Sequence, residues 1–382
     1  MTVTMRSFAK INLGLLIGAA RDDGFHELLT VYQTIGLHDV IRVSLERGSG
    51  IEIRCADPRV PRDESNTCFR VVERAMQALR AKGRVLIEIE KRLPVQGGMG
   101  GASANAVVTL LGLEGALNKS LPAAERLRIA AEVGSDLPLF LVGGTVLGVG
   151  RGDQVYPLPD LPSMACVVVT PEVGVSTPKA FAAWDHLCGA GTPFDKRRAG
   201  SAREAASRLQ KSGEVPVQKR AELRSSWPGP FDSAQGRLRP GSTPTRPALN
   251  DAAKLTGSDE SDRMNELGRD LSAWLSGLYS GAPFGRGRAE NPLLELVRAG
   301  IENDFEQVVF PEYPELREGK SALVRAGAKY GSLSGSGSAL YGLFASRAAA
   351  ALATMKLRKQ GWTAQATSTL TRRAYWKRVV AG

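Results

Sequence analysis

The residues of this chain best suited to chemistry are a glycine run and two isolated charges. In Leu93-Pro-Val-Gln-Gly-Gly-Met-Gly-Gly-Ala-Ser-Ala-Asn105, four glycines fall within five positions. Glycine reaches positive φ without steric penalty and leaves the backbone bare. Bare N–H groups at the start of a helix, together with the positive end of its dipole, make a site for phosphate. The run therefore predicts a nucleoside triphosphate site, although taken alone it could do no more than turn the chain. Two familiar phosphate loops are excluded by spacing: no Lys follows the glycines, and a dinucleotide fingerprint begun at Gly98 would need glycine where Ser103 stands. The Ser103 hydroxyl could meet a phosphate oxygen or Mg²⁺, or cap the helix. Lys10 interrupts an otherwise apolar or small alternation, Phe8-Ala-Lys-Ile-Asn-Leu13, and lysine is rarely buried without a partner. Asp136, in Val133-Gly-Ser-Asp-Leu-Pro-Leu-Phe140, reads either as a functional carboxylate on a turn or as an ordinary cap. A phosphate cradle, a cation and a carboxylate base are parts a kinase needs.

The elements that must position these groups follow from periodicity. Residues 3–17 and 28–45 alternate as strands, and 85–91 does so with charges facing out. Val71, Val72, Ala75, Met76 and Leu79 have helical spacing over 67–81. The glycine run thus joins a strand to a helix expected over 102–117. A further helix is expected over 122–133, ending near Gly134, then a return to strand over 138–156, with a buried strand over 164–170. Residues 189–250 are rich in Gly, Pro, Ser and Arg, which predicts a disordered insertion or long surface loop. A second flexible patch is expected at 280–288. Helices are expected at 261–278, 292–301, 313–326 and 347–360. A second glycine-rich loop, within Gly331-Ser-Leu-Ser-Gly-Ser-Gly-Ser-Ala-Leu-Tyr-Gly-Leu-Phe344, runs into a strand. Two such loops far apart in sequence can close on one ligand, which suggests a two-domain enzyme with a cleft.

Composition agrees. The chain has 382 residues, 43% of them hydrophobic, enough for two domains and a large core. There is no continuous apolar run of membrane-spanning length, and 1–17 lacks the features of a signal peptide. Cys55, Cys68, Cys166 and Cys188 are widely spaced, which reads as free thiols and a cytoplasmic location. Three histidines argue against a His-rich metal site. The net charge of +11 would suit nucleic acid, but residues 189–250 hold twelve Lys/Arg against five Asp/Glu and so carry most of it. An anionic small-molecule substrate explains the remainder. The basic segment has few aromatics and no recognisable nucleic-acid module, so a nucleic-acid-binding protein is the lesser reading.

Three segments in this order, Ala9-Lys-Ile-Asn-Leu13, 93–104 and Leu333-Ser-Gly-Ser-Gly-Ser-Ala339, resemble the three motifs of the GHMP kinase superfamily. Within it the chain is most similar to the 4-diphosphocytidyl-2-C-methyl-D-erythritol kinases. The marks are Ala9-Lys-Ile-Asn12, Asp22-Asp-Gly-Phe-His-Glu27, Lys91-Arg-Leu-Pro94, Gly134-Ser-Asp-Leu-Pro138 and Val175-Ser-Thr-Pro178. The resemblance covers about residues 5–188 and 291–345 and omits 189–250.

That resemblance implies an α+β, two-lobed GHMP kinase fold, with a ribosomal protein S5 domain 2-like N-terminal lobe and a ferredoxin-like C-terminal lobe. The domains would be 1–160 for ATP and 161–382, the latter interrupted by the basic insertion at about 189–250. It implies Mg-ATP-dependent phosphorylation of the 2-hydroxyl of 4-diphosphocytidyl-2-C-methyl-D-erythritol, in the non-mevalonate route to isoprenoids, by a monomer or weak homodimer with no membrane partner. By the same resemblance Lys10 and Asp136 form the catalytic pair. Pro94, Val95, Gln96, Gly97, Gly98, Met99, Gly100, Gly101, Ala102, Ser103 and Ala104 wrap the ATP phosphates, and Asn66 lies near the adenine. Asn12, Phe25, His26, Thr177 and Phe181 face the substrate: His26 hydrogen-bonds the cytosine, and Phe25 and Phe181 stack on it, where residue chemistry alone would also allow core packing. Magnesium ligands stay unassigned. Three departures stand out. Phe25 replaces the family's usual Tyr, Ala102 and Ala104 leave Ser103 as the loop's one hydroxyl, and Ser334 and Ser336 stand where Thr is common. A homoserine- or mevalonate-type kinase is the nearest rival, and Gly24-Phe-His26 with Phe181 favours the cytosine pocket over it.

Overall fold

The computed structural model describes residues 1–95, 97–189 and 302–380. Gln96, the basic segment from 190 onward, the patch at 280–288 and the helices expected at 261–278 and 292–301 lie outside the described residues.

The alternating N-terminal stretches form one long antiparallel hairpin, β1 (Thr2–Ala20) and β2 (His26–Glu46). Between them Asp22-Asp-Gly24 makes the turn, with Gly24 at φ 81°, the left-handed conformation that Asp-Gly hairpin turns require. β2 is long enough to serve two further neighbours. Its first half pairs with β5 (Thr145–Val149) and its second half with β4 (Arg84–Glu90). β3 (Gly50–Cys55) joins β4 in parallel, and β6 (Gln154–Pro157) joins β5. β3 was not anticipated, because six residues give too short an alternation to stand out beside a charged loop.

Helices α1 (Thr67–Ala78), α2 (Gly101–Leu117) and α3 (Ala123–Val133) pack on this sheet around Val43, Val71, Ile87, Val107, Leu110 and Ile129. α2 has no separate polar face, and its residues 104–110 and 112–114 are buried. It lies close to the strands because of its glycines: a Cβ at Gly112 would come within 2.9 Å of Val43. One expectation is corrected. Residues 137–142 do not return to strand but form a short helix, α4 (Leu137–Val142), with Asp136 at its N-cap and Pro138 in its first turn. A short apolar run does not distinguish helix from strand by period, and proline at a helix start has no hydrogen bond to lose.

The second sheet contains β7 (Ala165–Val169), β8 (Tyr330–Leu333), β9 (Leu340–Phe344) and β10 (Ala364–Ser368) in the order β10-β7-β9-β8, all antiparallel. Helices α5 (Thr177–Leu187), α6 (Phe305–Glu312), α7 (Pro314–Arg325) and α8 (Arg347–Lys359) complete a ferredoxin-like βαββαβ arrangement. Trp184, Phe305, Leu316, Leu323 and Leu357 fill its core. A third cluster joins the two sheets, with Ile11, Leu13 and Val31 against Cys166, Val168 and Tyr341. Each such side chain contributes roughly 1.5–3 kcal/mol when fully buried, so the sheets share a core and do not merely touch.

The last helix, α9 (Arg372–Val379), returns to the first sheet and closes the end of α4. Tyr375 Oη donates to Phe140 O at 2.8 Å and Trp376 Nε1 to Val142 O at 3.0 Å, so two carbonyls at the C-terminal end of α4 are satisfied. Gly143 makes the seat possible: it has φ 71°, and a Cβ there would lie 2.2 Å from the Tyr375 ring. Gly143→Ala combines a left-handed backbone with overlap against a buried ring, so we expect about 3 kcal/mol or more of destabilisation. Tyr375→Phe, which leaves the Phe140 carbonyl unpaired, should cost about 1–3 kcal/mol. Urea midpoints at unchanged m-value test both, and a Gly143→Ala protein as stable as the parent would refute the close-approach account.

Candidate active site

The site begins with an irregularity in β1. Pairing with β2 slips between Phe8 and Lys10 and again between Asn12 and Gly14. Such bulges re-aim side chains, and they occur often beside active sites. Here Ile11 and Leu13 point into the core between the sheets, while Lys10 and Asn12 line a cavity on the other face. Lys10 is 3% exposed, so its ammonium needs partners. It donates to Asn12 Oδ1 at 2.7 Å and faces Asp136 Oδ2 at 3.4 Å. Asn12 is itself fixed, donating to Thr30 Oγ1 at 2.8 Å, and Thr30 donates to Gly14 O at 2.7 Å.

Asp136 sits at the N-cap of α4, yet its carboxylate makes no capping bond. It meets Lys10 on one oxygen and the Tyr32 hydroxyl, at 3.3 Å, on the other. Burial, reinforced by the Asp136 charge, pushes the Tyr32 phenol well above its ordinary pKa, so the hydroxyl keeps its proton and remains a donor throughout the working pH range. Tyr32 was not singled out in the sequence. It follows the period of β2 and is legible only once β1, β2 and α4 are placed together.

The glycine run leaves β4 and enters α2 as expected. Its entry is fixed by Asp39, a fully buried carboxylate that accepts from Lys91 Nζ (2.6 Å), Arg92 N (2.7 Å), Leu93 N (2.7 Å) and Asn105 Nδ2 (2.9 Å). Gly100 takes the N-cap of α2 at φ 64°, so Ser103 is not the cap, and its side chain lines the cavity beside the loop. The second glycine loop, 334–339, packs directly on the first. Ser334 Oγ donates to Gly98 O at 3.0 Å and Ala339 N to Gly97 O at 3.1 Å. A Cβ at Gly98 would fall 2.1 Å from Ser334 O, and one at Gly100 would strike Phe140 and Lys10 at 2.9 and 3.1 Å. Asn303, also buried, donates to Leu333 O at 2.9 Å and Gly335 O at 2.8 Å and so pins the second loop.

Two cavities flank this double loop. The first, of about 390 Å³, is lined by Asn66, Lys91, Pro94, Val95, Gly97, Met99, Gly101, Ala102 and Ser103. The second, of about 280 Å³, holds Lys10, Asn12, Phe25, His26, Tyr32, Asp136, Thr177 and Phe181. Gly98 and Gly100 line both. Every described residue expected at the site therefore borders one cavity or the other, except Ala104. Ala104 is buried in the core, and its N–H bonds Gly100 O within the helix, so the missing hydroxyl at 104 removes no group from the cavity wall. Gln96 lies outside the described residues. Asn66 is already occupied: Oδ1 caps α1 by accepting from Cys68 N at 2.8 Å, and Nδ2 donates to Pro61 O at 2.6 Å.

The second cavity carries further groups that the sequence reading did not mark. The His26 ring stacks on Phe181 at 4.8 Å and 10°, and its Nε2 lies 2.7 Å from Asp185 Oδ1. Phe305 meets the edge of Phe181 at 4.9 Å. The Arg151 guanidinium lies 4.9 Å from the Phe25 ring centre, over the ring expected to stack on a base. Thr177 Oγ1 and Ser336 Oγ are 2.7 Å apart, which ties the start of α5 to the second glycine loop. Among the described residues no three His, Cys, Asp or Glu side chains converge to hold a metal ion. No helix among them is long and apolar enough to cross a membrane.

Two family models match the chain: the GHMP kinases N terminal domain over residues 66–144 and the GHMP kinases C terminal domain over 289–361. The chain is 33% identical over 343 residues to the 4-diphosphocytidyl-2-C-methyl-D-erythritol kinase of Solibacter usitatus (strain Ellin6076), covering 90% of this chain and 81% of the relative. It is 40% identical over 179 residues to the kinase of the same name from Acaryochloris marina (strain MBIC 11017), covering 47% of this chain and 58% of that one. A crystal structure of a 4-(cytidine 5'-diphospho)-2C-methyl-D-erythritol kinase superposes with a TM-score of 0.60 at 24% identity, over 96% of this chain and 99% of that one. The L. major mevalonate kinase does so with 0.58 at 13% identity, over 97% of each. Those two likenesses establish the fold, and the identity to the Solibacter enzyme over most of both chains establishes the closer kinship: the chain belongs to the GHMP kinase superfamily, in the family of the 4-diphosphocytidyl-2-C-methyl-D-erythritol kinases.

Proposed function

We propose that this protein transfers the γ-phosphoryl group of ATP to the 2-hydroxyl of 4-diphosphocytidyl-2-C-methyl-D-erythritol, giving ADP and the 2-phosphate. The observation that carries the reading is the shared wall: a cavity with the Lys10–Asp136 pair adjoins the glycine-loop cavity at Gly98 and Gly100. A nucleotide in the larger cavity, with its base end toward Asn66, has its phosphates against the bare backbone of 97–101 and the Ser103 hydroxyl. The protein itself demands glycine at 98 and 100, because side chains there would collide with the second loop, Phe140 and Lys10, and the backbone left bare is what a phosphate could approach. We read residues 1–160 as the ATP-binding domain and 161–382 as the C-terminal domain. When bound, Mg²⁺ would neutralise charge on the phosphates; no carboxylate cluster converges among the described residues, and the Ser103 hydroxyl, which lines the cavity, would be a protein group able to reach it.

Within this arrangement Asp136 accepts the proton of the acceptor hydroxyl as the oxygen attacks the γ-phosphorus. Lys10, 3.4 Å from that carboxylate, orients it and offsets charge growing on the transferred group. Tyr32 fixes the second carboxylate oxygen, and Asn12 holds Lys10 on line. Phe25, His26, Thr177 and Phe181 form the wall that would receive the cytidine end, and the Arg151 guanidinium beside them suits a diphosphate.

Asp136→Asn is expected to lower kcat by about 10²–10⁴ with ATP affinity retained. Turnover near the parental value would remove Asp136 from the base role. Tyr32→Phe, which loses one hydrogen bond to a charged group, should lower kcat/KM by roughly 10- to 100-fold, without affecting binding of ATP measured by calorimetry. A substrate panel tests the acceptor: we expect phosphorylation of the cytidylylated polyol and not of homoserine or mevalonate, and the reverse outcome would overturn the assignment.

A further inference from the structure

We infer that Asp185 is a positioning residue that sets which base the pocket accepts, by fixing the hydrogen-bonding state of His26. The inference rests on the pocket reading above and goes one residue beyond it. α5 presents Phe181 and Asp185 one helical turn apart, and both grip the same imidazole. Phe181 lies flat on the ring at 4.8 Å and 10°, and Asp185 Oδ1 meets Nε2 at 2.7 Å. His26 is 8% exposed and borders the substrate cavity, whereas Asp185 stands behind it and does not line that cavity. Asp185 therefore acts on a ligand only through His26.

The chemistry follows from the donor and acceptor inventory. A carboxylate only accepts, so Nε2 must carry the hydrogen, and in the neutral ring Nδ1 is left with a lone pair. A lone pair accepts from an exocyclic amine and repels a carbonyl oxygen. Cytosine offers an amine at the position where uracil has a carbonyl. The Asp185–His26 pair thus selects an aminopyrimidine against its oxo counterpart by leaving the wrong base with two facing acceptors, which is discrimination by repulsion as well as attraction. Asp185→Asn changes this without removing bulk: its amide can donate to Nε2, which moves the ring hydrogen to Nδ1 and suits a carbonyl instead.

Cytidine 5'-diphosphate and uridine 5'-diphosphate are the probes, with binding measured by calorimetry on the full chain, and the His26 tautomer read from ¹⁵N spectra, where only three histidines must be assigned. In the parent we expect the Nε2–H tautomer at His26 and at least about tenfold tighter binding of the cytidine probe. In Asp185→Asn and Asp185→Ala the cytidine preference should shrink by roughly 5- to 100-fold, while ATP affinity stays within about twofold because Asp185 does not border the glycine-loop cavity. An unchanged cytidine-to-uridine ratio in both variants, an Nδ1–H tautomer in the parent, or a parallel loss of ATP affinity would each overturn the inference. If the parent phosphorylates the cytidylylated polyol and the ratio is unmoved, only this inference falls. If the parent neither binds the cytidine probe nor phosphorylates that substrate, the proposed function falls and takes the inference with it.

Discussion

The arrangement of the candidate site depends on one buried ammonium. Lys10 lies on a strand at the centre of the fold, and an unpaired charge there would cost several kcal/mol. Its partners come from separated parts of the chain: Asn12 from the same strand, Asp136 from the start of α4, and the Tyr32 ring, whose centre is 5.5 Å from Nζ, from β2. Since Asp136 keeps part of its surface in solvent, its attraction for Lys10 is screened to a few kcal/mol. That is enough to orient the two groups but not to hold the fold together. Packing must do the latter, and the charges are set within a frame that would stand without them.

The frame is tightest where the two glycine loops meet. Gly98 lies under the carbonyls of Ser334 and Gly337, and no side chain could be added there without pushing the loops apart. The loops are held from behind by Asp39, which gathers two backbone N–H groups, a lysine and an asparagine, and by Asn303, which bridges two carbonyls. Both are polar, buried and satisfied through several bonds, the condition under which buried polar groups rigidify a structure. The cavity-facing surface can then be bare backbone, because its shape is set by Asp39 and Asn303, which border neither cavity.

This division explains what the sequence revealed. The hairpin, the β4-loop-α2 unit and the second glycine loop were legible because their signals are local: alternation, apolar helical composition, glycine spacing. Lys10 and Asp136 stood out as charges in apolar company. Asp39 did not, since a lone aspartate within a strand pattern looks like any outward-facing carboxylate until four donors converge on it. Tyr32 and Asp185 were hidden for a similar reason. Each follows the period of its own element, and its role arises from a partner more than one hundred residues away. Residues 137–142 misled for a different reason. A six-residue apolar run fits a strand by composition, and only packing against α9 selects the helix.

That short helix sets the direction of the Asp136 carboxylate, which stands at its N-cap. Six residues cannot sustain a helix by propensity. α4 persists because Leu137, Leu139 and Phe140 are buried beneath it and because Tyr375 and Trp376 satisfy its last carbonyls. The Asp136 carboxylate is thereby coupled to α9. Loosening α9 would free the end of α4 first, then let Asp136 drift from Lys10 and Tyr32, while the glycine-loop cavity, which none of these helix-end contacts borders, would keep its shape. Damage at α9 should therefore separate turnover from nucleotide binding in the same direction as damage to Asp136 itself, and the two differ in that only the former also lowers the stability of the fold.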